Sequence, residues 1–219
     1  MIDISAWIEE FLHAAQHTFA ERIYFVGIQG SYARGEANET SDIDVVLILD
    51  EVSATDLEKY DSMLNSLQHR ELVCGFVSGK EELFNWDSAD LFQFYYDTKA
   101  IVGSLKEIEP LIKDVDVCKA IKTAACNIYH GCIHNMLHDK SPQILIGLYK
   151  IAYFALIATV FRQTGEYIGR IDGLLPKVSS SERIIAENYR YLKSGGTVDF
   201  YAMSNTLLEW SKGLIIKTK

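Results

Sequence analysis

The sequence predicts an α+β fold in which a mixed β-sheet with flanking helices is followed by an antiparallel helical bundle. Short, strand-like apolar runs alternate with helical patterns at first, and only helical patterns follow Pro110. The charge changes sign at the same place: residues 1–113 contain 8 Lys and Arg against 21 Asp and Glu, whereas residues 114–219 contain 13 against 9. We therefore expect a first domain over residues 1–110 and a helical domain over residues 111–219.

Patterns in the first domain predict two long helices and three buried strands. Apolar residues at the i, i+3 and i+4 spacing indicate a helix over residues 4–19, with Asp3 as its N-cap. A capping box formed by Thr55 and Glu58 begins the second helix. Runs rich in β-branched and aromatic residues predict the strands Ile23–Ile28, Asp44–Leu49 and Glu71–Val77.

The rest of the chain is predominantly helical. Between residues 79 and 103 the pattern indicates a short helix near 81–84 and a strand within 94–102. After Pro110 the helical period continues, interrupted by glycines and a proline. The predicted helices of the bundle are Asp116–His138, Pro142–Gln163, Ser181–Leu192 and Val198–Ile215.

Composition excludes several classes of protein. With 48% hydrophobic residues and 3 prolines in 219, the chain has enough apolar surface for a core, which excludes disordered and collagen-like proteins. The most apolar run, Ile151–Phe161, is shorter than the roughly 18 residues of a membrane span. The acidic first residues fit neither a secretion signal nor a transit peptide, so we expect a soluble, cytoplasmic protein. The net charge of −9 argues against stable nucleic-acid binding.

Cysteines and histidines offer no strong metal motif. The four cysteines form no C-x-x-C pair, so we expect reduced, mostly structural thiols. His130, His134 and His138 recur every four residues and share one face of a helix. A metal site or a catalytic base is one interpretation of these histidines. Because an H-E-x-x-H motif is absent, a partly exposed helix face is the favoured one.

The strongest chemical signal is the segment between the first two predicted strands. It reads GSYARG over residues 30–35, directly after a buried strand. Gly30 allows the chain to turn tightly at the end of that strand. Ser31 then presents a hydroxyl and a backbone N–H, which together could hold an anion. This segment therefore predicts a phosphate-binding turn.

A pair of aspartates follows at the start of the second strand. Asp42 and Asp44 are two residues apart, so their carboxylates project from one face while Ile43 points into the core. Two carboxylates held close together repel each other, and a divalent cation relieves that repulsion. Mg²⁺ is the metal that suits such oxygen ligands together with substrate phosphates. A phosphate turn beside a metal-binding pair indicates phosphoryl or nucleotidyl transfer.

The strings GSYARG and SDID together resemble the nucleotidyltransferase signature of the DNA polymerase β superfamily. They are most similar to its small bacterial members, the minimal and the aminoglycoside nucleotidyltransferases. The helical half is similar to the substrate-binding domain of kanamycin- and streptomycin-modifying members. The resemblance implies transfer of NMP, in the first place AMP from ATP, to a hydroxyl of a small molecule such as an aminoglycoside, with release of pyrophosphate. It also implies two Mg²⁺ ions between the carboxylates and the triphosphate.

The resemblance also implies the roles of the acidic residues. Asp42 and Asp44 would bind the metal. The family uses a third acidic residue on a later strand, and the best match is Glu71, as a metal ligand, a general base or both. The alternative is that Glu71 merely caps its strand. Asp97 is the reserve candidate, although it is better explained as shaping the turn into the next strand.

The remaining implied roles concern the phosphates. Gly30 and Ser31 would hold the β- and γ-phosphates. Lys150 resembles a triphosphate-contacting lysine of the helical domain, or it extends from an apolar helix face into solvent. Arg34 would assist the phosphates or form an ion pair. The carboxylates within its reach are Asp42 and Glu36.

Two other functions compete with a small-molecule transferase. The same chemistry could modify a protein, as in antitoxin nucleotidyltransferases, although a fused helical domain speaks against that function. A catalytically silent member that binds a nucleotide or a partner protein is the second alternative. The acceptor, the preferred NTP and homodimer formation stay open at this stage.

Overall fold

The computed structural model describes residues 2–39 and 41–218. The chain divides into two compact units. Unit 1 comprises Met1–Asp87 and Phe94–Leu111, and unit 2 comprises Ser88–Gln93 and Ile112–Lys219. The resulting fold is a four-stranded sheet with flanking helices together with a set of C-terminal helices, which confirms the predicted α+β class.

Unit 1 contains a mixed sheet in the order β3-β2-β1-β4. The second strand pairs antiparallel with the first and parallel with the third, while the fourth pairs antiparallel with the first. The strands are β1 (Ile23–Ile28), β2 (Ile43–Leu49), β3 (Val73–Gly79) and β4 (Lys99–Val102). The helices are α1 (Ile4–Phe19), α2 (Gly30–Arg34), α3 (Ala54–Leu64), α4 (Lys80–Phe84) and the end of α5 (Ser88–Asp97).

One face of this sheet packs against α1 and α3. Alternate residues of β2, from Ile43 to Leu49, join Trp7 and Phe11 of α1 and Met63 of α3 in one apolar cluster. The alternation follows from the two-residue period of a strand, and the helix spacing places its large side chains on the facing side. Each fully buried side chain of this size contributes about 1.5–3 kcal/mol to stability. The rigid sheet thereby fixes the positions where β1 ends and β2 begins.

Unit 2 is helical and packs around its longest helix. The helices are α6 (Asp114–His134), α7 (Pro142–Thr164), α8 (Ile171–Leu174), α9 (Ser180–Lys193) and α10 (Phe200–Lys217). Tyr149 and Tyr153 of α7 are fully buried, and their hydroxyls donate to backbone carbonyls of Met203 and Gly169. Within the described part of the chain, α7 is the one helix long and apolar enough to cross a membrane, but over half of its most apolar stretch is buried in the protein. Such burial is typical of a core helix.

Several local predictions are confirmed. Helix α1 and strand β1 have the predicted bounds, and Asp3 caps α1 through bonds from the backbone N–H groups of Ser5 and Ala6. The second capping prediction is wrong, because α3 begins at Ala54. Ser53 is its N-cap, and Asp56 completes the capping box.

Two further corrections concern the second half of unit 1. Strand β3 begins at Val73, because the chain first forms a 3-10 turn over Arg70–Leu72 after His69 adopts a left-handed conformation. The predicted strand start at Glu71 is therefore wrong. Helix α5 was not predicted, whereas the strand expected within residues 94–102 is confirmed as β4, Lys99–Val102.

Candidate active site

The predicted phosphate turn lies where β1 ends, beside the start of β2. The two strands are antiparallel neighbours, so the end of one meets the beginning of the other. The backbone N–H of Gln29 donates to the carbonyl of Asp44 at 2.8 Å. Helix α2 then runs from Gly30 to Arg34, and Gly35, with a left-handed φ of 68°, caps its C-terminal end. The structure thus brings the turn and the aspartate pair together.

Gly30 is required at this position for two reasons. Its φ is +67°, a region that favours glycine. A Cβ atom at position 30 would also collide with the carboxylate of Asp44. The absence of a side chain therefore lets the backbone of the turn lie directly against this carboxylate. Ser31, the next residue, is half-buried in α2.

The two aspartates flank a fully buried isoleucine, as predicted. Ile43 has no exposed surface, whereas Asp42 is exposed and Asp44 is half-buried. This arrangement matches the expected alternation of side chains along β2. Both carboxylates therefore lie outside the apolar core, and that of Asp44 lies directly against the turn.

Glu71 does not lie on a strand beside the two aspartates. It belongs to the exposed turn before β3, its side chain is 73% exposed, and a carboxylate oxygen lies 3.9 Å from Nδ1 of His69. The register instead places Cys74 directly opposite Asp44, on the same face of the sheet. Cys74 is an exposed free thiol. No residue of β3 is acidic, so the third carboxylate that the sequence predicted is not on the strand itself.

Arg34 forms ion pairs with two carboxylates, one of them unexpected. Its Nη1 atom donates to both carboxylate oxygens of Asp97, at 2.8 and 2.6 Å, and its Nε atom lies 3.6 Å from Glu36. The pairing with Glu36 was one of the alternatives open from the sequence. Asp97 is buried at the end of α5, and burial raises the pKa of its carboxyl, although Arg34 and the backbone N–H of Gly30 oppose that rise.

Two predicted groups belong to unit 2. Lys150 is exposed on α7, so it is not among the residues that unit 1 brings together. The three histidines lie on one exposed face, as expected: His130 and His134 are on α6, and a following π-helical turn brings His138 to 4.8 Å from His134, ring centre to ring centre. His134 also lies 3.3 Å from a carboxylate oxygen of Asp139.

The donor set of unit 1 fits a magnesium ion through two protein carboxylates. Asp42 and Asp44 supply hard oxygen ligands, and Mg²⁺ is typically bound by one or two carboxylates plus substrate phosphates. Over residues 2–39 and 41–218, no group of three or more His, Cys, Asp and Glu side chains is placed to hold a metal.

Comparison with known proteins gives the class of this site. The sequence profile of the nucleotidyltransferase domain matches residues 8–124, which is more than half of the chain. The chain therefore belongs to the nucleotidyltransferase-domain family, and the resemblance found in GSYARG and SDID is confirmed. The match includes the whole phosphate turn, the aspartate pair and the beginning of α6.

A solved structure supports the same fold over nearly the whole chain. It is the spectinomycin adenyltransferase AAD(9) from Enterococcus faecialis with ATP and spectinomycin, and it matches with a TM-score of 0.63 and 12% identity. The match covers 97% of this chain and 99% of that chain. At this identity the likeness shows the fold alone. No curated protein matches the sequence.

Proposed function

We propose that the protein transfers AMP from ATP to a hydroxyl of a small, cationic acceptor of the aminoglycoside type and releases pyrophosphate. The observation that supports this proposal is the contact between the phosphate turn and Asp44, in which Gly30 leaves room for the carboxylate of Asp44. The transfer reaction needs the phosphate turn and the metal-binding carboxylates close together, because the metal must contact the triphosphate.

In this proposal different residues of unit 1 bind the phosphates and the metal. Gly30 and Ser31 hold the β- and γ-phosphates, and Asp42 and Asp44 hold Mg²⁺. When bound, the metal would lower the pKa of the acceptor hydroxyl and offset charge on the departing pyrophosphate. Glu71 is the proposed third carboxylate, as a ligand or as the base that takes the hydroxyl proton.

The remaining proposed contacts extend the site. Arg34 would favour the phosphates electrostatically from beneath the turn, and Lys150 would supply a second cation. We also propose a cytoplasmic location, in which reduced cysteines are normal.

Charge supports a cationic acceptor. Residues 1–113 carry 21 acidic against 8 basic side chains, and such an excess attracts and orients cations. The structurally similar AAD(9) was solved with ATP and spectinomycin, which is a small-molecule acceptor. Both observations favour an amine-bearing small molecule over nucleic acid or an acidic protein.

The experiment is a transfer assay with labelled ATP and Mg²⁺ against a panel of aminoglycosides, spectinomycin and lincosamides. Formation of a labelled adduct with equimolar pyrophosphate supports the proposal. Asp44→Asn is the control variant, and label transfer that survives this change contradicts the assigned site. The same panel with GTP, CTP and UTP identifies the preferred nucleotide.

A silent, nucleotide-binding protein is the second candidate, and one observation favours it. Glu71 lies in an exposed turn outside β3, and the position opposite Asp44 is occupied by Cys74. A site that lacks the third carboxylate could bind ATP without activating a hydroxyl. Saturable binding of ATP with Mg²⁺, combined with no pyrophosphate release across the whole panel, would support this second function.

A further inference from the structure

Asp97 forms an ion pair with one end of the short helix that contains the phosphate turn. Its carboxylate accepts two bonds, at 2.8 and 2.6 Å, from the guanidinium of Arg34, the last residue of α2. At the other end of α2, the backbone N–H of Gly30 favours the charged form of the same carboxyl and lowers its pKa. One buried side chain therefore fixes the end of the five-residue helix that includes Ser31.

A second set of hydrogen bonds joins the residue before the turn to the end of α5. The side-chain amide of Gln29 donates to the hydroxyl of Thr98 at 2.6 Å and to the carbonyl of Phe94 at 3.3 Å. Thr98 in turn donates to the carbonyl of Phe94. The end of α5 thus holds the residue before the turn as well as the turn itself.

Asp97 is too deeply buried to touch a substrate itself. Its side chain is 8% exposed, and that of its partner Arg34 is 11% exposed. Loss of either partner would leave the other charge buried without its strongest contact, which is costly. Any effect of Asp97 on a nucleotide therefore acts through Arg34 and the position of α2.

We infer that Asp97 is a positioning residue, which fixes α2 so that Gly30 and Ser31 face the phosphates of the nucleotide. This inference rests on the proposed function for the identity of the ligand. The clamp itself, formed by the Asp97–Arg34 pair and the bonds of Gln29 to Thr98 and Phe94, is a geometric property of unit 1. The two parts can therefore be tested separately.

The test compares wild type with Asp97→Asn in two measurements. Hydrogen–deuterium exchange should show faster exchange of the backbone amides of residues 30–36 in the variant, by about tenfold or more. ATP in the presence of Mg²⁺ should bind about 10- to 100-fold more weakly, which is the usual effect of losing a residue that orients a binding group. In the transfer assay, KM for ATP should rise more than kcat falls.

Asp56→Asn is the matched control. Asp56 is also buried, pairs with an arginine (Arg22, 2.7 Å) and belongs to unit 1, but it contacts α3 and not α2. We expect this control to lower the melting temperature while amide exchange at residues 30–36 and ATP affinity stay unchanged. If Asp56→Asn weakens ATP binding as much as Asp97→Asn, the effect is general destabilisation and the inference is wrong.

Other outcomes separate the clamp from the function. Unchanged exchange over residues 30–36 in Asp97→Asn overturns the clamp, whatever the nucleotide does. Faster exchange with unchanged ATP affinity overturns the positioning role. Failure of wild type to bind ATP contradicts the proposed function and the nucleotide part of the inference, while exchange still decides whether the clamp exists.

A second variant serves if Asp97→Asn does not fold. Arg34→Gln removes the cation, and the buried Asp97 carboxyl can then take up a proton, so the fold is expected to survive. Exchange should increase at the end of α2, over residues 33–36, and less at Gly30, because the bonds of the neighbouring Gln29 to Thr98 and Phe94 remain. Equal protection in this variant and wild type would contradict the clamp.

Discussion

At one end of the β1–β2 pair, Arg22 binds the carboxylates of Asp50 and Asp56 and the carbonyl of Glu51, at 2.7–3.0 Å. At the other end, Arg34 binds Asp97 beneath the phosphate turn. Both ends therefore pair an arginine with a buried aspartate. Only the second end also brings together a glycine turn and two further aspartates.

The two buried aspartates differ in their proton affinity. Asp56 accepts hydrogen bonds from Arg22 and from both the backbone and the hydroxyl of Ser53, and these bonds hold the pKa of its carboxyl far below the ordinary value. Burial raises the pKa of Asp97 instead, and its bonds offset that effect only in part. The bonds to Asp56 therefore favour its charged form, whereas burial opposes the charged form of Asp97.

The largest expected effect is at the site end. Asp44→Asn should reduce nucleotidyl transfer about 1000-fold or more, because it removes one of the two carboxylates that we propose as metal ligands. The melting temperature should stay close to that of wild type, since Asp44 is outside the apolar cluster. Steady-state assays at saturating ATP and Mg²⁺ measure the first quantity and thermal unfolding the second. Full activity in this variant would show that the two ends do not differ in function.

Glu71→Gln should reduce kcat by about 100-fold, which is the lower range for loss of a general base. ATP affinity should stay unchanged, because the phosphates are held by other residues. The measurement is kcat against KM for ATP with the acceptor identified by the panel. Glu58→Gln, on the exposed face of α3, is the matched control. Unchanged kcat in Glu71→Gln would remove this residue from the site and favour the silent, nucleotide-binding function.

At the structural end, Asp56→Asn should lower the melting temperature by several degrees. The change removes a charge partner of Arg22 and one half of the capping box of α3. ATP binding should stay unchanged, because the site is at the other end of the strands. Thermal unfolding and calorimetric ATP titration of the same preparation measure both. A normal melting temperature would mean that this pair contributes nothing to stability.

The smallest expected effect is the opposite pH dependence of the two pairs. The pKa of Asp56 is lowered on folding, so its stabilising contribution is present above its ordinary value of 3.8 and is lost as the pH falls below that value. The pKa of Asp97 is raised on folding, so stability falls as the pH rises through its folded pKa. Urea unfolding from pH 3 to 7 should therefore show opposite slopes for the difference between wild type and Asp56→Asn or Asp97→Asn. Equal slopes would contradict the assigned shifts.

The sequence predicted those parts of the fold that depend on neighbouring residues. Strand β1 is a continuous apolar run, and the regular spacing from Ile4 to Phe19 specifies α1, so both bounds were correct. The pattern of Gly30 and Ser31 followed by Asp42 and Asp44 was enough to identify the family. In each case, the residues that form the feature lie within one short segment.

What the sequence could not predict depends on distant contacts. Arg34 and Asp97 are 63 positions apart, and no local pattern links them. Helix α5 was missed because its aromatic run from Phe92 to Tyr96 shows no single apolar stripe. The start of β3 shifted because His69 adopts a left-handed conformation, which changes the place of Glu71. The sequence before α3 allows two overlapping capping boxes, Ser53 with Asp56 and Thr55 with Glu58. The first one forms, and its Asp56 also pairs with the distant Arg22.

The most direct test of the account is a crystal structure of the protein with Mg²⁺ and a non-hydrolysable ATP analogue. We predict that the β- and γ-phosphates contact the backbone of Gly30 and Ser31, and that the metal is bound by Asp42 and Asp44. A triphosphate bound anywhere else, or aspartate carboxylates that make no contact with the metal, would contradict the assignment of this site.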